Sequence, residues 1–351
     1  MYTHATTKKV YAGGVAIGGG SDISIQSMLC AHAHDIDSNV KQALALQNAG
    51  CDIVRVSVPD IETIKTVEAL KQNITIPLVA DIHFDWRLAI ESVAAGVDKV
   101  RINPGNIGDE SRVREVARVC REKNIPIRIG VNSGSLEKEI LAKYGAATPE
   151  AMVESGLYHI SLLEKYDFDN IVLSLKSSNV KRMYQAYVLA SEKCQYPLHL
   201  GVTEAGTENM GVIKSSAGIG GLLLRDIGDT LRISLTDEPV KEVEAAKKLL
   251  KALGVRNGGI KFVSCPTCGR TEIDLIGIAK QAEERLANVQ KDITVAIMGC
   301  VVNGPGEASA ADIGIAGGKD CGVIFKHGKV LYNKVPEDKL LDLLEQEINK
   351  M

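Results

Sequence analysis

Short aliphatic runs recur along the first two thirds of the chain, separated by segments whose apolar residues return every three or four positions. The runs are Ile23–Met28, Asp52–Val58, Leu78–His83, Asp98–Asn103, Ile127–Asn132, Asn170–Lys176, Leu198–Glu204 and Leu231–Thr236. The segments between them, such as NVKQALALQNAG and IETIKTVEALKQN, carry the period of amphipathic helices. Gly50 and Gly96 follow two of these segments, where a helix end favours a left-handed residue. Eight strand-then-helix units predict an α/β fold of the TIM (β/α)8 barrel type. An open doubly wound sheet is the competing arrangement.

Near Thr236–Val240 the pattern stops and a charge-alternating helical stretch, KEVEAAKKLLKALG, begins. The boundary is therefore placed there, giving a barrel over residues 1–237 and a small α+β domain over 238–351. The second part holds strand-like runs at IKFVSC, ITVAIMGC, ADIGIAG and CGVIFKHGKVLYN, a helix from about Glu272 to Val289, and a terminal helix from Pro336.

Composition narrows the class. With 45% apolar residues in 351, the chain exceeds what one core usually supports, which agrees with two domains. A formal charge of −3, with basic and acidic residues interleaved, argues against a nucleic-acid surface. No run of eighteen apolar residues and no signal-like start occur, so a soluble cytoplasmic protein without membrane contact is expected. In that setting the eight cysteines are read as thiols, metal ligands or catalytic groups, not as disulfides.

Cys265 and Cys268 form a Cys-x-x-Cys pair after one strand, and Cys300 ends another in Gly-Cys-Val-Val-Asn-Gly-Pro-Gly-Glu. Two cysteines at that spacing can face one centre. Glycine and proline around the third leave backbone amides free to approach cluster sulfurs. A zinc knuckle wants a fourth Cys or His nearby, and none precedes Cys321 and His327. A thioredoxin-like pair sits in a different context. An iron-sulfur site with three cysteines fits better, with Glu307 and Cys321 competing for the fourth position.

Barrel enzymes build their sites from strand C-terminal ends. Here those ends carry Arg55, Asp81, His83, Arg101, Asn103, Arg128, Asn132, Lys176, Glu204, Arg232 and Ser234. Any one is explained as a solvated or ion-paired strand end. Five cations converging on one mouth point instead to an anionic, phosphorylated substrate. Glu204 is the carboxylate placed to donate a proton. Gly218-Ile-Gly220-Gly221 reads as a phosphate cradle or a packing turn, and Gly18-Gly19-Gly20 as a hairpin turn before the first barrel strand.

Together the CPTC and GCVVNGPGE motifs, the GGIKFVS lead-in, GVNSGSLE (Gly130–Glu137) and GVTEAG (Gly201–Gly206) closely resemble the 4-hydroxy-3-methylbut-2-enyl diphosphate synthase family of the non-mevalonate isoprenoid pathway. The resemblance spans essentially the whole chain. It implies a TIM barrel that binds 2-C-methyl-D-erythritol 2,4-cyclodiphosphate and a domain carrying a 4Fe-4S cluster, with Cys265, Cys268, Cys300 and Glu307 as ligands. It further implies substrate contacts from Asp81, His83, Arg101, Asn103, Arg128, Asn132, Lys176, Arg232 and Ser234, and catalytic roles for Glu204 and Glu307. The implied reaction is a two-electron reductive ring opening with loss of water, fed by ferredoxin or flavodoxin, in a homodimer.

One segment departs from the family pattern. After QSM the chain has Leu29-Cys30-Ala31-His32-Ala33-His34-Asp35, which admits an extra metal site or a remodelled loop. Two other readings compete for the whole chain. A dihydropteroate-synthase-like transferase leaves the cysteine motifs unused, and a non-catalytic iron-sulfur carrier or sensor leaves the cationic mouth unused.

Overall fold

The computed structural model describes residues 3–103, 106, 110–256, 259–287, 289–300 and 307–351, with only the backbone described for Glu307 and Ser309. Two compact units divide at Arg256. The first opens with a hairpin, β1 (Val10–Ala12) and β2 (Val15–Ile17). Eight parallel strands follow: β3 (Ser24–Met28), β4 (Ile53–Ser57), β5 (Leu78–Ile82), β6 (Lys99–Ile102), β7 (Ile127–Asn132), β8 (Ile171–Lys176), β9 (His199–Leu200) and β10 (Thr230–Leu231). Their order is β8-β7-β6-β5-β4-β3-β10-β9, and a single bridge, Leu173 to Leu198, joins the ends into a barrel. At that seam the Tyr187 hydroxyl accepts from the Leu175 amide at 3.0 Å and donates to the His199 carbonyl at 2.5 Å. A side chain thus supplies bonds that a full ladder would make.

All eight strands fall within the runs expected, apart from a one-residue offset at β10, but β9 and β10 keep only two residues each. Gly50 and Gly96 adopt the left-handed conformation, at φ 82° and 92°. The hairpin turn lies at Gly13-Gly14, not at Gly18-Gly19-Gly20, which follows β2. Gly218, Gly220 and Gly221 sit inside helical backbone, and a Cβ on Gly218 would meet Val180 at 3.1 Å. Close helix packing explains Gly218 and, with Tyr184 3.3 Å from where a Cβ would stand, Gly221, while a Cβ on Gly220 would make only ordinary contacts.

Residues alternate strictly on the strands. Val54, Leu78, Val100, Ile129, Leu173 and Leu200 face outward, into one apolar core with the surrounding helices. The inward set is mostly polar above an apolar floor. Following the registers, inward residues stack in layers of four drawn from alternate strands. From the base upward these are Ile53, Lys99, Val172 and Thr230; then Gln26, Val79, Arg128 and His199; then Arg55, Arg101, Ser174 and Arg232; then Met28, Asp81, Gly130 and Gly201. The hairpin closes the base, where Val10, Ala12 and Ile17 pack on Ile53, Val79 and Val172.

The helix over Pro239–Ala252, expected to open the second domain, belongs to the first unit. Its stripe of Val243, Ala246 and Leu250 is buried in the barrel's outer core, and Glu242 on the same helix reaches strand β10. The second unit is a five-stranded mixed sheet, β11 (Lys261–Ser264), β12 (Thr294–Met298), β13 (Ile313–Gly318), β14 (Cys321–Lys326) and β15 (Lys329–Pro336). The first three strands are parallel and the last two antiparallel. Helices Leu275–Arg285 and Leu340–Lys350 cover one face. Among the described residues, no helix is long and apolar enough to cross a membrane.

Candidate active site

Every inward position above the base is polar or lacks a side chain, apart from Met28 and Val79. Arg55, Arg101 and Arg232 share one layer, and two carboxylates answer them. Asp81 accepts from Arg101 Nη1 at 2.9 Å and lies 3.6 Å from Arg55 Nε, with His83 at 3.9 Å. Burial would raise the Asp81 carboxyl, but Arg55 and Arg101 outweigh it and hold the group below the usual carboxylate range. Glu242, from the helix outside, takes a two-pronged contact from Arg232 at 3.0 and 2.9 Å and a 2.7 Å bond from Ser27. Burial lowers Arg55 to about 10. The Met28 sulfur lies between Arg55 and Arg232, 2.7 and 3.5 Å from their nitrogens.

Two glycines make room for cations. A Cβ on Gly201 would lie 2.9 Å from Lys176 Nζ, and one on Gly130 would lie 2.7 Å from Arg101 Nη2. Lys176, buried at the mouth, has no carboxylate within 4.0 Å among the described residues. Burial first, then Arg128 and Arg55, push its ammonium well below the ordinary lysine value. The same order of causes holds for Arg128, whose neighbours are Arg55 and Arg101. Such a site holds more cations than carboxylates, and a diphosphate would supply the missing negative charge.

Of the residues read as substrate contacts, Asp81, Arg101, Asn103, Arg128 and Lys176 are buried on the inward face, while His83, Asn132, Arg232 and Ser234 are half-buried at or near strand ends. Asn103 reaches Ser135 at 3.4 Å, and the Ser133 hydroxyl reaches Ser177 at 3.2 Å, so the loop after β7 is tied to its neighbours. Glu204 is exposed and takes a left-handed backbone at φ 53°, uncommon for a non-glycine residue and frequent at functional turns.

Sequence reasoning missed Lys99, His199 and Gln26, inward-facing and buried, and Glu242. The signal was present in the period of two: Lys99, Arg101 and Asn103 share one face of their run, as His199 and Gly201 do of theirs. Nine atoms on Ser24, Gln26, Lys99, Arg128 and His199 are buried with no hydrogen-bond partner among the described residues. At about 1–3 kcal/mol for each such group, nine would rival a whole protein's stability of about 5–15 kcal/mol.

In the second unit, Cys265 follows β11 and Cys300 lies two residues beyond the neighbouring β12. The Gly299 amide donates to Cys265 Sγ at 3.3 Å, and the Gly299 carbonyl accepts from the Glu272 amide at 2.9 Å. The Cys-x-x-Cys loop is thus tied to the strand end carrying Cys300. The Arg270 amide and guanidinium hold the exposed Cys268 thiol below its usual value. Amide donation to sulfur and a nearby guanidinium suit an iron-sulfur cluster on thiolates. Among the described residues, however, no three Cys, His, Asp or Glu side chains are gathered closely enough to hold a metal ion. Residues 301–306 and the Glu307 side chain lie outside the described residues. Cys321 stands opposite Gly318 at the same end of the sheet.

The divergent loop forms no metal group either, among the described residues. Cys30 Sγ accepts from Gln42 at 3.1 Å, and His34 pairs with Asp60 at 2.8 Å.

The model of the GcpE TIM-barrel domain matches residues 7–247, and that of the GcpE protein C-terminal domain matches residues 261–350. The chain belongs to the GcpE family. Among GcpE relatives, the 4-hydroxy-3-methylbut-2-en-1-yl diphosphate synthase (flavodoxin) of Clostridium perfringens is 56% identical, over 96% of this chain and 97% of that protein. The enzyme of the same name from Caldanaerobacter subterraneus is 55% identical, over 98% and 97%. Solved structures share the GcpE barrel's fold at low identity. Dihydropteroate synthase of Yersinia pestis matches with a TM-score of 0.51 and 17% identity over 70% of this chain and 98% of that one. A truncated 3-deoxy-D-arabino-heptulosonate 7-phosphate synthase from Thermotoga maritima matches at 0.52 and 16%, over 72% and 96%.

Proposed function

We propose that this chain converts 2-C-methyl-D-erythritol 2,4-cyclodiphosphate to (E)-4-hydroxy-3-methylbut-2-enyl diphosphate, with electrons from a flavodoxin or ferredoxin. The reaction consumes two electrons and two protons and releases one water. The observation that carries this reading is the cation-lined barrel in a chain that matches flavodoxin-dependent synthases from end to end.

The residues divide the work. Lys176, Arg128, Arg55, Arg101 and Arg232 neutralise the diphosphate, and Asp81 and Glu242 hold three of the four arginines in fixed directions before substrate arrives. Preorganised cations lose little freedom on binding. Asn103, Asn132, His83 and Ser234 contact the polar edges of the substrate at the mouth, and Glu204 delivers a proton to the departing oxygen. The strained turn at Glu204 sets the direction of that carboxylate.

Cys265, Cys268, Cys300 and Glu307 are the residues that would hold a 4Fe-4S cluster, which would supply electrons one at a time. The Gly299 amide on Cys265 Sγ and Arg270 beside Cys268 would stabilise those two sulfurs as thiolates. The competing fourth ligand is Cys321, and the two separate by variant: Glu307→Ala lowers turnover strongly, whereas Cys321→Ser leaves the cluster's iron content unchanged. The active form is a homodimer located in the cytoplasm, and native mass spectrometry of the anaerobic protein reports its subunit number.

Substrate binding tests the barrel half of this reading without the cluster. Lys176→Met weakens binding of the cyclodiphosphate, read by calorimetry, by tenfold or more. Unchanged affinity would remove Lys176 from the site.

A further inference from the structure

Beneath the arginine layer lie buried polar side chains of which the proposed reaction uses only Arg128. Lys99 Nζ, both nitrogens of His199, both amide atoms of Gln26 and the Ser24 hydroxyl are buried without a partner among the described residues. Lys99 and His199 are fully buried and Gln26 is 1% exposed. The registers bring these side chains inward at the barrel's base, from strands β6, β9 and β3, with Arg128 at the height of Gln26 and His199. Below them the apolar plug of Val10, Ala12 and Ile17 excludes solvent.

Charge decides which partner these groups require. Neither of the two lowest layers contains an acidic residue. Asp81 is two layers above Arg128 and already engaged by Arg101, and Glu242 is engaged by Arg232. Lys99 and Arg128 therefore share a solvent-free base without a carboxylate in contact among the described residues, and an arginine does not give up its proton. Most of the unpartnered atoms are donors, which require an acceptor. A neutral water molecule would satisfy some of them and leave the charge uncompensated.

We propose that the barrel base holds one inorganic monoanion of chloride size, bound by Lys99, Gln26 and His199 beneath the Arg128 guanidinium. The anion is a structural counter-charge that fixes Arg128 from below, and it stands whether or not the reaction proposed above is correct. It is separate from the diphosphate, which Lys176 and the arginine layer meet from the mouth.

Bromide is the probe. Crystals of the full chain, grown without substrate and with sodium bromide as the only halide, are expected to show an anomalous bromide peak in hydrogen-bond contact with Lys99 Nζ and Gln26 Nε2. Density for water alone at the base, or bromide only beside Lys176 at the mouth, would overturn the proposal. In solution, replacing sodium gluconate by sodium chloride at equal ionic strength raises the melting temperature with the logarithm of chloride concentration once it exceeds the dissociation constant, by about 5 °C at a hundredfold excess. Gln26→Glu puts a carboxylate where the anion sits, so this variant melts in gluconate at or above the wild-type temperature and gains nothing from chloride. A wild type indifferent to chloride, or a Gln26→Glu variant that still responds, would contradict the site.

Discussion

Gly130 and Arg101 exclude each other's alternatives: a Cβ on Gly130 would stand 2.7 Å from Arg101 Nη2. The guanidinium lies flat across the glycine, donating to its carbonyl at 3.2 Å and to Asp81 at 2.9 Å. One missing side chain on β7 thus sets the position of a cation on β6, the neighbouring strand.

Gly130→Ala forces that guanidinium aside. Overpacking of this kind costs about 1–3 kcal/mol of stability, measured by denaturant unfolding. The affinity for the cyclodiphosphate falls with it. A Gly130→Ala protein of unchanged stability and affinity would show that Arg101 is free to move.

Asp81 makes stability depend on pH. Its folded pKa is depressed below the ordinary 3.8, so its ion pairs contribute fully above about pH 4, and that contribution is lost as pH falls through the lower folded value. Asp81→Asn leaves two buried arginines without their partner and costs about 3–5 kcal/mol at pH 7. The gap to wild type narrows as the pH drops below 4, followed by acid unfolding with circular dichroism. A gap independent of pH would mean that the carboxyl is not ionised against Arg55 and Arg101.

Thiol reactivity separates the cysteines. Burial pushes Cys51 and Cys120 up to about 12, whereas Cys268 is exposed and lowered by Arg270. Iodoacetamide at pH 7 therefore labels Cys268 of the cluster-free protein early and reaches Cys51 and Cys120 only after unfolding. Loading with iron and sulfide protects Cys268 and leaves the exposed Cys30 reactive, read by peptide mass spectrometry. Equal labelling of Cys268 before and after loading would remove it from the ligand set.

Much of the barrel was legible because its outward faces are aliphatic and its strands short. The inward face was legible only in part. Arg101 and Arg128 stood out as charges inside apolar runs, Arg128 lying nearer the base of β7 than the strand end it was read at, yet Lys99, which opens its strand, and His199, which carries no fixed charge, did not stand out on the same alternation. Glu242 was hidden by composition: KEVEAAKKLLKALG reads as a solvated, charge-alternating helix, and only its packing against β3 shows Glu242 buried against Arg232 and Ser27. That helix also displaced the domain boundary, since its apolar stripe is identical in kind whichever core it joins. The closure by Tyr187 depends on β9 being two residues long, which the longer run Leu198–Glu204 conceals.

The most direct measurement is anaerobic turnover. Purified protein, reconstituted with iron and sulfide and given 2-C-methyl-D-erythritol 2,4-cyclodiphosphate with reduced flavodoxin, is predicted to contain about four iron atoms per chain. It is predicted to release one linear 4-hydroxy-3-methylbut-2-enyl diphosphate for every two electrons consumed. A protein that binds zinc alone, or that holds the full iron complement and leaves the cyclodiphosphate intact while flavodoxin stays reduced, would contradict the account.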